Sequence, residues 1–408
     1  MKLLVDLAWR NLWRHKRRTL ITVSSVSFAV VLAVLLVSFA AGMRQQLIET
    51  VVRNETGYLQ VQDVLFDEEP SMDHAFEYGD KVKNAIRPLQ DEIHFTVPRI
   101  RGFSLAAGEY SSRGVVVTGI KPGLEDRMNN LSSRIVEGRM FAEDEDFAVV
   151  AEGLAGLLEL SIGDKIVLIG QGFQGMTAAG EYKIGGIIKF PIPEQNNSAV
   201  YLPLEKAQSY FAAPGRLTNL IIMTDHDVDH DRIAGDIRAS LDPEWYAVLT
   251  WDRLMPDMVG LIETRETVNR IMSWVLYMVA GFGIFGTIMT MMAERLKEFG
   301  VLLSIGMKRS RLACVCLTET ILISVIGAAA GIAAGYPMTY LLHARPLQLS
   351  GDMAEYMLNL GMEPVFRFLP SAEIFLSQAL IVFCISLVIG IYPVKKILRL
   401  DMISAVRG

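Results

Sequence analysis

Uncharged, mainly apolar residues form four long blocks along the chain. The blocks lie between Arg18 and Arg44, Arg270 and Glu294, Glu319 and His343, and Glu373 and Lys395. The shortest block would measure roughly 31 Å as a helix at 1.5 Å per residue, which matches a hydrocarbon core of about 30 Å. Because a helix satisfies its own backbone in lipid, the pattern predicts four membrane-spanning helices. Their predicted bounds are 19–42, 271–293, 312–342 and 374–394.

The first block also allows a second interpretation. A basic start, an apolar stretch and the small residues Ser38 and Ala40 occur together in cleaved signal peptides. The apolar core of such a peptide usually has about 7–15 residues, and this block is longer. We therefore favour an uncleaved membrane helix.

Lys and Arg are unevenly distributed among the segments that join these helices. The N-terminal segment 1–18, the loop 294–311 and the tail 395–408 are rich in basic residues, whereas the short loop 343–373 has more acidic than basic ones. Positive-inside bias therefore places both termini and loop 294–311 in the cytoplasm and segment 43–270 outside. That outer segment is strongly acidic, which the overall net charge of −6 hides. Nucleic acid is not indicated as a partner.

The outer segment shows alternating strand and helix patterns. Helical spacing over 43–56 and 253–270 predicts two stalks that continue the first and second membrane helices. Strand and helix patterns at 57–104 and 213–252 predict an α+β lobe built from both ends of the domain. Residues 105–212 between them are mostly strand-like with glycine-rich turns, which predicts an inserted β-rich lobe. The predicted strands are 58–61, 93–103, 115–118, 165–169, 182–188, 199–202, 217–223 and 246–249, and the predicted helices are 80–89, 228–241 and a short one from Leu204.

Two short motifs admit a ligand-binding interpretation, but each has a simpler structural one. The GxGxxG pattern at 170–175 follows a strand, as in a dinucleotide-binding turn, but a new strand follows where a helix is needed. We therefore predict a hairpin loop. The acidic run 225–231 alternates like a calcium loop, although His230 stands at the glycine position and Asp236 at the glutamate position. Acidic residues also stabilise the first turn of a helix, so we favour a helix cap.

No motif in the sequence specifies catalysis. The phosphate-binding GxxxxGK[ST] loop does not occur, nor do the GxSxG and HExxH signatures of hydrolases and zinc proteases. We therefore predict no catalytic residue, no metal site and no cofactor in this chain, and no enzyme activity of its own.

A regular series of glycines lies in the third apolar block. Gly327, Gly331 and Gly335 recur every four residues and would line one face of a helix. Small residues on one face let helix backbones approach closely in lipid. The series predicts packing within the helix bundle, with a subunit interface as the alternative.

Glu319 is a carboxylate predicted to lie within the membrane. It stands roughly 12 Å beyond Arg311 at helical rise, and therefore inside the cytoplasmic leaflet. An intramembrane carboxylate is costly and is usually paired or functional. Its candidate partners are Arg295 and Lys308, and the alternative to a structural ion pair is a mechanistic role.

The loop 294–311 is short and amphipathic, with the sequence ERLKEFGVLLSIGMKRSR. It closely resembles the E-R-x-x-E-[IF]-G-x-L-x-x-[IL]-G-x-x-[KR] segment of the MacB/LolC/LolE/FtsX superfamily of ABC transporter permeases. In that family the segment forms a coupling helix that docks on the ATPase subunit, and Glu319 matches an acidic residue at the start of the third helix. The residues to which the resemblance gives a coupling role are Glu294, Arg295, Glu298, Gly300, Gly306, Lys308 and Arg309.

The resemblance extends over essentially the whole chain. Residues 8–20 resemble the family's entry into its first helix, and residues 392–393 and 400–407 resemble its exit. In the outer segment, 117–120 and 163–166 resemble the MacB-like periplasmic core. The resemblance implies a membrane protein with four transmembrane α-helices and a large α+β extracytoplasmic domain between helices 1 and 2.

Within the superfamily, the chain looks nearest to the lipoprotein-releasing permeases of the LolC/LolE type. The large outer domain disfavours the FtsX type, the sequence contains no fused ATPase of the MacB type, and residues 57–61 resemble the lipoprotein-releasing group. The resemblance implies a bacterial inner-membrane location and, as partners, an ABC ATPase subunit that binds ATP and magnesium, a second permease chain, membrane lipids and a periplasmic carrier or adaptor. The second chain would be identical or homologous.

The mechanism implied by the resemblance is mechanotransmission. ATP-driven closure of the ATPase subunits would push on loop 294–311, and the stalks would relay the motion to the outer lobes. We predict that this motion extracts lipoproteins or similar amphiphiles from the outer leaflet of the inner membrane. The alternatives are a tripartite exporter of peptides or drugs and a regulator of a periplasmic hydrolase. No substrate-binding residues are predicted.

Overall fold

The computed structural model describes residues 9–14, 16–108, 111–359 and 362–399. The chain divides into two compact units. The helical unit contains residues 1–45, 261–349 and 365–408, and the outer unit contains residues 46–260 and 350–364. The family-like segment 400–407 lies outside the described residues, and so does the predicted tail 395–408 from residue 400 onward. Part of the predicted second stalk, 261–270, belongs to the helical unit.

Four helices among the described residues are long and apolar enough to cross a membrane, which confirms the predicted number. All four extend beyond the predicted apolar blocks, because polar helix-forming residues flank each block. The four membrane helices are Lys16–Val51, Pro256–Ser304, Arg309–Ala344 and Ala372–Leu398.

The first membrane helix ends in one turn of π-helix, Val52–Thr56. The chain then turns at Gly57, whose φ of +66° lies in the region that favours glycine. A Cβ on Gly57 would also collide with the Ile221 side chain. The helical pattern of the first stalk therefore ends where the sequence predicts.

The second membrane helix runs without interruption from Pro256 to Ser304, over 49 residues. It contains most of the predicted second stalk 253–270, the membrane span and most of the segment predicted as a separate coupling helix. The prediction of a separate helix at 294–311 is therefore wrong. Residues 294–304 contain no proline and mostly good helix formers, so nothing ends the helix at residue 293.

The loop between the third and fourth membrane helices contains short elements that the sequence did not predict. Strands Leu347–Gln348 and Val365–Phe366 form an antiparallel pair in the helical unit. Helix Asp352–Asn359 lies between them and belongs to the outer unit. There, Gln46 Nε2 donates a hydrogen bond to the Glu363 carbonyl at 2.7 Å.

The outer unit contains one mixed sheet and a two-stranded ribbon. The strands, in chain order, are β1 Leu59–Asp63, β2 Phe76–Glu77, β3 Ile93–Ala107, β4 Ser112–Ile120, β5 Ile135–Gly138, β6 Phe147–Ala151, β7 Lys165–Gln171, β8 Thr177–Ile188, β9 Ala199–Pro203, β10 Arg216–Leu217, β11 Asn219–Thr224 and β12 Tyr246–Thr250. Besides Asp352–Asn359, the α-helices described in this unit include Asp80–Ile86, Pro122–Asn129, Glu152–Leu158, Pro193–Asn196, Leu204–Tyr210, His230–Ala239 and Trp251–Leu254.

One end of the sheet is built from both ends of the outer segment, as predicted. Strands β12, β1, β11 and β3 pair antiparallel in that order. Helix His230–Ala239 buries Ile233 and Ile237 in the core of this unit. These elements come from regions more than 100 residues apart in the chain.

The rest of the sheet closes on itself. Strand β3 continues past its partner β11 and pairs with β4 and β7, and the pairings β4–β9, β9–β6, β6–β8 and β8–β7 complete a ring of six strands. Its interior is filled by alternate apolar side chains such as Val115, Ile166 and Ile184. The predicted β-rich lobe is thus a small closed barrel that shares β3 with the α+β lobe.

The GxGxxG pattern at 170–175 and the acidic run 225–231 both adopt the predicted structure. Residues 170–175 lie in the hairpin between β7 and β8, where Gln174 and Gly175 have positive φ. In the acidic run, Asp229 caps helix His230–Ala239, and its Oδ1 accepts a hydrogen bond from the Arg232 amide at 3.0 Å. Both the hairpin and the cap are confirmed.

Candidate functional site

The end of the second membrane helix packs against the third and fourth helices on one side. Met292, Phe299 and Leu303 recur at helical spacing and are buried. They belong to one apolar cluster together with Leu312, Ala313, Cys316 and Ile397. Because this face is closed by the bundle, residues 294–304 are held as part of the helical unit.

The opposite side of the same segment faces outward. Glu294 and Glu298 are exposed, and so are the apolar side chains of Val301 and Ile305, the latter at 78%. Gly300, by contrast, is buried. The segment thus presents carboxylates and apolar side chains together, which is a composition suited to a protein contact.

Gly306 ends the helix by a Schellman motif. Its φ is +100°, its amide donates to the Leu303 carbonyl at 3.1 Å, and the Met307 amide donates to the Leu302 carbonyl at 3.1 Å. The chain reverses here, and Arg309 begins the third membrane helix. The glycine of the family pattern therefore has a conformational reason, because other residues rarely adopt this φ.

A buried ion pair joins the segment to the third membrane helix. Arg295 is 7% exposed and Glu319 is 2% exposed, and an Arg295 guanidinium nitrogen donates to the Glu319 carboxylate. Arg295 also lies 3.5 Å from Glu298 and stacks over the Phe299 ring at 5.4 Å. Of the two predicted partners of Glu319, the structure places Arg295 in contact, whereas Lys308 is exposed.

A third side chain completes this network. Asn11 Nδ2 donates a hydrogen bond to the second oxygen of Glu319 at 2.8 Å. Asn11 was not predicted from the sequence, because its partner Glu319 lies 308 residues away in the chain and only the fold brings the two together. The network of Asn11, Arg295 and Glu319, here called the coupling triad, connects the segment before the first membrane helix with the second and third membrane helices.

The glycine series packs against the first membrane helix. A Cβ on Gly327 would lie 2.7 Å from Val26, and one on Gly331 would lie 2.6 Å from Val30. Gly335 faces Val34 at a looser 3.7 Å. The glycines therefore serve packing within one chain, which is the favoured of the two predicted interpretations. Since both residue series ascend together, the first and third helices run parallel.

The outer unit contains a second buried ion pair. Arg99 donates to both oxygens of Glu125, which is 1% exposed, and to the Glu55 carbonyl at 2.9 Å. Burial would lower the pKa of Arg99, but the attraction of Glu125 outweighs it and raises this pKa. Arg134 donates to the Asn54 side chain at 2.6 Å. Two arginines thus hold the π-helical turn Val52–Thr56 to the body of the outer unit.

An exposed group of apolar side chains lies on the outside of the barrel. Phe103 is 70% exposed, and Leu105 and Ile169 are exposed neighbours on the paired strands β3 and β7. Outward-facing barrel positions are usually polar, so this group, here called the apolar strip, is unusual. It offers an apolar contact surface on the outer unit.

No group of three or more His, Cys, Asp or Glu side chains in the described part of the chain is arranged to hold a metal ion. The features found are instead the exposed face of 294–305, the coupling triad behind it and the apolar strip. The described residues that form them include no nucleophile paired with a base.

Together, the fold and the site define an ABC transporter permease. Residues 19–240 match the MacB-like periplasmic core domain, and residues 270–402 match the FtsX-like permease C-terminal domain. The chain therefore belongs to the MacB/LolC/FtsX superfamily of ABC transporter permeases. The predicted family and fold class are confirmed.

Relatives span much or all of the chain at low identity. The uncharacterized ABC transporter permease MJ1507 of Methanocaldococcus jannaschii is 19% identical over 99% of this chain and 98% of its own length. The lipoprotein-releasing system transmembrane protein LolC of Xylella fastidiosa is 21% identical over 79% of this chain and 80% of its own length. A macrolide export ATP-binding/permease protein MacB of Rhodopseudomonas palustris (strain HaA2) is 21% identical over 81% of this chain, which spans 48% of that protein.

Proposed function

We propose that this permease works by mechanotransmission and extracts lipoproteins or similar amphiphiles from the outer leaflet of a bacterial inner membrane. In this proposal both termini are cytoplasmic and the outer unit is periplasmic. A separate ABC ATPase binds ATP and magnesium, and a second permease chain, identical or homologous, completes the transporter. A periplasmic carrier or adaptor receives the cargo.

The coupling triad is the observation that carries the mechanism. A force applied to the exposed face of 294–305 reaches Arg295, which is bonded to Glu319 on the third membrane helix and through it to Asn11. The same segment continues the second membrane helix without a break. A rigid helix fixed to its neighbours by a buried ion pair transmits displacement instead of absorbing it.

The apolar strip supports an amphiphilic cargo. Three exposed apolar side chains on neighbouring strands give a surface that acyl chains or apolar segments of a cargo could contact. Large exposed apolar patches on soluble domains commonly mark interaction sites. The similarity to LolC over most of both chains agrees with this class of cargo.

The first experiment tests the docking of the ATPase. The full-length chain is co-expressed with a candidate ABC ATPase and purified under gentle extraction, as wild type and as Val301→Asp/Ile305→Asp. We expect the double variant to lose the ATPase, because two charges replace the exposed apolar contact. The matched control is Leu347→Asp, an exposed leucine beyond the opposite end of the third membrane helix, and it should retain the ATPase. If no ATPase co-purifies with the wild-type chain, the proposed ATP-driven mechanism is contradicted.

The second experiment tests the cargo. A photo-crosslinking amino acid replaces Phe103 in the reconstituted transporter, and the control places it at Trp245, another exposed aromatic of the outer unit. Crosslinks to lipoproteins from Phe103 alone, lost upon ATP addition, would support extraction. Crosslinks only to an adaptor protein would favour the tripartite exporter, and activation of a periplasmic hydrolase without cargo would favour the regulator.

A further inference from the structure

A helical segment with an unusual exposed face precedes the first membrane helix. Residues 9–14 are helical, and Trp9 and Trp13 on successive turns are 46% and 57% exposed. Their rings meet edge to face with centroids 5.9 Å apart. Two neighbouring exposed tryptophans are rare on a surface that only water contacts, because each exposes a large apolar area.

Basic side chains stand beside these tryptophans. Arg10 and Arg14 are exposed and, like the tryptophans, are spaced by four residues, so they form a second row on the adjoining side of the helix. Lys16 and Arg17 follow at the start of the membrane helix and are also exposed. The sequence has no acidic residue from 7 to 48, so the charge of this region is entirely positive.

The remaining face of the segment is occupied by the chain itself. Leu12 is buried, and Asn11 donates to Glu319 in the coupling triad. Thr19 Oγ1 also donates to the Leu12 carbonyl at 2.8 Å. These contacts fix which side of the helix faces inward, and they leave the tryptophan and arginine rows on the outside.

The position of the segment suggests what covers the exposed rows. Because the candidate membrane helix begins at Lys16, two residues after Arg14, we expect the tryptophans and arginines at the level where acyl chains meet headgroups. Tryptophan prefers this interface, since its ring is apolar and its N–H needs a polar partner. Arginine there attracts anionic lipid, and its planar fork matches a phosphate bidentately.

We propose that Trp9, Trp13, Arg10, Arg14 and Arg17 form a binding site for the headgroups of anionic phospholipids. The tryptophan rings lie among the upper acyl chains, and the arginines hold the phosphates. The Asn11 bond to Glu319 fixes the orientation of the site on the bundle. A contact with the ATPase subunit is the competing use of the same surface, and the charge of the segment favours lipid.

The test uses the full chain in lipid nanodiscs. Trp245, Trp251 and Trp274 are replaced by Phe, which leaves Trp9 and Trp13 as the fluorophores among the five tryptophans of the chain. A small fraction of brominated phosphatidylglycerol or brominated phosphatidylcholine is then added to otherwise neutral discs. We expect stronger quenching by phosphatidylglycerol, because enrichment of anionic lipid is about fivefold for each basic side chain near the surface.

Removal of charge should weaken this preference. Arg10→Gln/Arg14→Gln should reduce the ratio of quenching by the two lipids at least tenfold if the charges act additively, and the preference that remains is the contribution of Arg17. The control Lys395→Gln/Lys396→Gln removes two exposed charges from the fourth membrane helix and should keep the preference. A third measurement needs no variant: raising salt from about 50 mM to about 500 mM should weaken the preference by screening.

Three results would overturn the proposal. Equal quenching by both lipids in the protein with intact arginines would remove the anionic selectivity. Quenching of both tryptophans by aqueous iodide in the discs would show that water, and not lipid, covers them. A change in their emission only after the ATPase subunit is added would assign the surface to protein docking.

Discussion

Two ion pairs in this protein are buried away from water. Arg295 and Glu319 in the helical unit, and Arg99 and Glu125 in the outer unit, are each buried as pairs with their polar atoms bonded. Desolvating two ions is costly, so neither pair is strong evidence of added stability. Losing one partner of a pair, however, leaves an uncompensated buried charge.

The Arg295–Glu319 pair predicts a large coupling energy. Arg295→Met alone or Glu319→Leu alone should lower the free energy of unfolding by about 3–5 kcal/mol, whereas the double variant should cost less than either one. A double-mutant cycle on the detergent-solubilised full chain, unfolded by denaturant, measures this difference. Additive effects of the two substitutions would show that the pair is not coupled.

Arg99 allows a comparison with a neighbour on the same strand. Arg99→Met should destabilise the outer unit by about 3–5 kcal/mol, because Glu125 stays buried without its partner. Arg101→Met is the matched control: Arg101 is half exposed and lies 3.6 Å from Glu55, so its loss should cost about 0–1 kcal/mol. Limited proteolysis of the full chain at rising temperature measures the stability of the outer unit in both variants. Equal losses of stability in Arg99→Met and Arg101→Met would contradict this prediction.

His230 predicts acid sensitivity of the outer unit. Its ring stacks on Tyr58 with centroids 4.6 Å apart, and burial lowers its pKa below 6.5. The unfolded chain therefore binds this proton at a higher pH than the folded chain, so stability falls as pH drops below about 6.5. His230→Gln should reduce the stability lost between about pH 7 and pH 5. Melting temperatures of both proteins across this pH range measure the difference. If the melting temperature depends on pH equally in both proteins, His230 is not the source of the acid sensitivity.

The residues of the site were only partly predictable from the sequence. Glu319 was predicted because a carboxylate within an apolar block is conspicuous, and Arg295 because it stands near the same membrane surface. Asn11 and Glu125 were not, since their partners lie far away in the sequence and only the fold brings them together. A buried position in a mixed polar segment leaves no periodic signal of its own.

At the scale of elements, the first and third membrane helices pack closely along the glycine series, as the sequence predicted. The glycine series removes the side chains that would hold the helices apart, and dispersion contacts between the helices are gained as a result. Val26 and Val30 fill the space opposite and are fully buried.

Substitution of one glycine tests this packing. Gly331→Leu should destabilise the bundle by at least about 1–3 kcal/mol, since its Cβ would meet Val30 at 2.6 Å and the Ser27 carbonyl at 2.9 Å. Gly286→Leu on the second membrane helix is the control, because nothing lies within 4 Å of its Cβ position. Thermal unfolding of the two extracted proteins should separate them. Similar melting temperatures would mean that the helices do not pack as closely as described.

Element types were more predictable than element ends. Strands with apolar alternation and the four membrane helices were found because their periodicity is strong. Strand β3 was predicted to end at Phe103 but runs to Ala107, because small residues at its end pair with two neighbouring strands. The end of the second membrane helix was placed too early, since a charged residue marks the limit of an apolar block but not of a helix.

At the scale of the whole molecule, one helix of 49 residues contains most of the second stalk, a membrane span and most of the proposed docking surface. At 1.5 Å per residue it is roughly 73 Å long. The charge and hydropathy patterns predicted each of these parts separately. Their continuity was not predicted, because the family pattern suggested a distinct coupling helix. The closure of the barrel was also missed, since strand order depends on pairings between distant segments.

A proline in this helix should separate docking from transport. Gly283 has open space around it, so Gly283→Pro disturbs the backbone without a side-chain clash, at about 3 kcal/mol for an interior proline. We expect the ATPase to remain bound while cargo-stimulated ATP hydrolysis falls to the basal rate. Gly283→Ala keeps the helix and should behave as wild type. Cargo-stimulated hydrolysis that survives in Gly283→Pro would show that a straight helix is not required.

The evenly spaced glycines have one further consequence, which concerns alignment. Because the glycines and the valines opposite them both repeat every four residues, a shifted alignment would pack in a similar way. Sliding the first helix by four residues, about 6 Å, would set Val26 opposite Gly331 and Val30 opposite Gly335. Packing alone therefore discriminates weakly between neighbouring registers. The hydrogen bond from Asn11, in the segment just before the first membrane helix, to Glu319 on the third would be broken by such a shift, so it favours the observed alignment of the two helices.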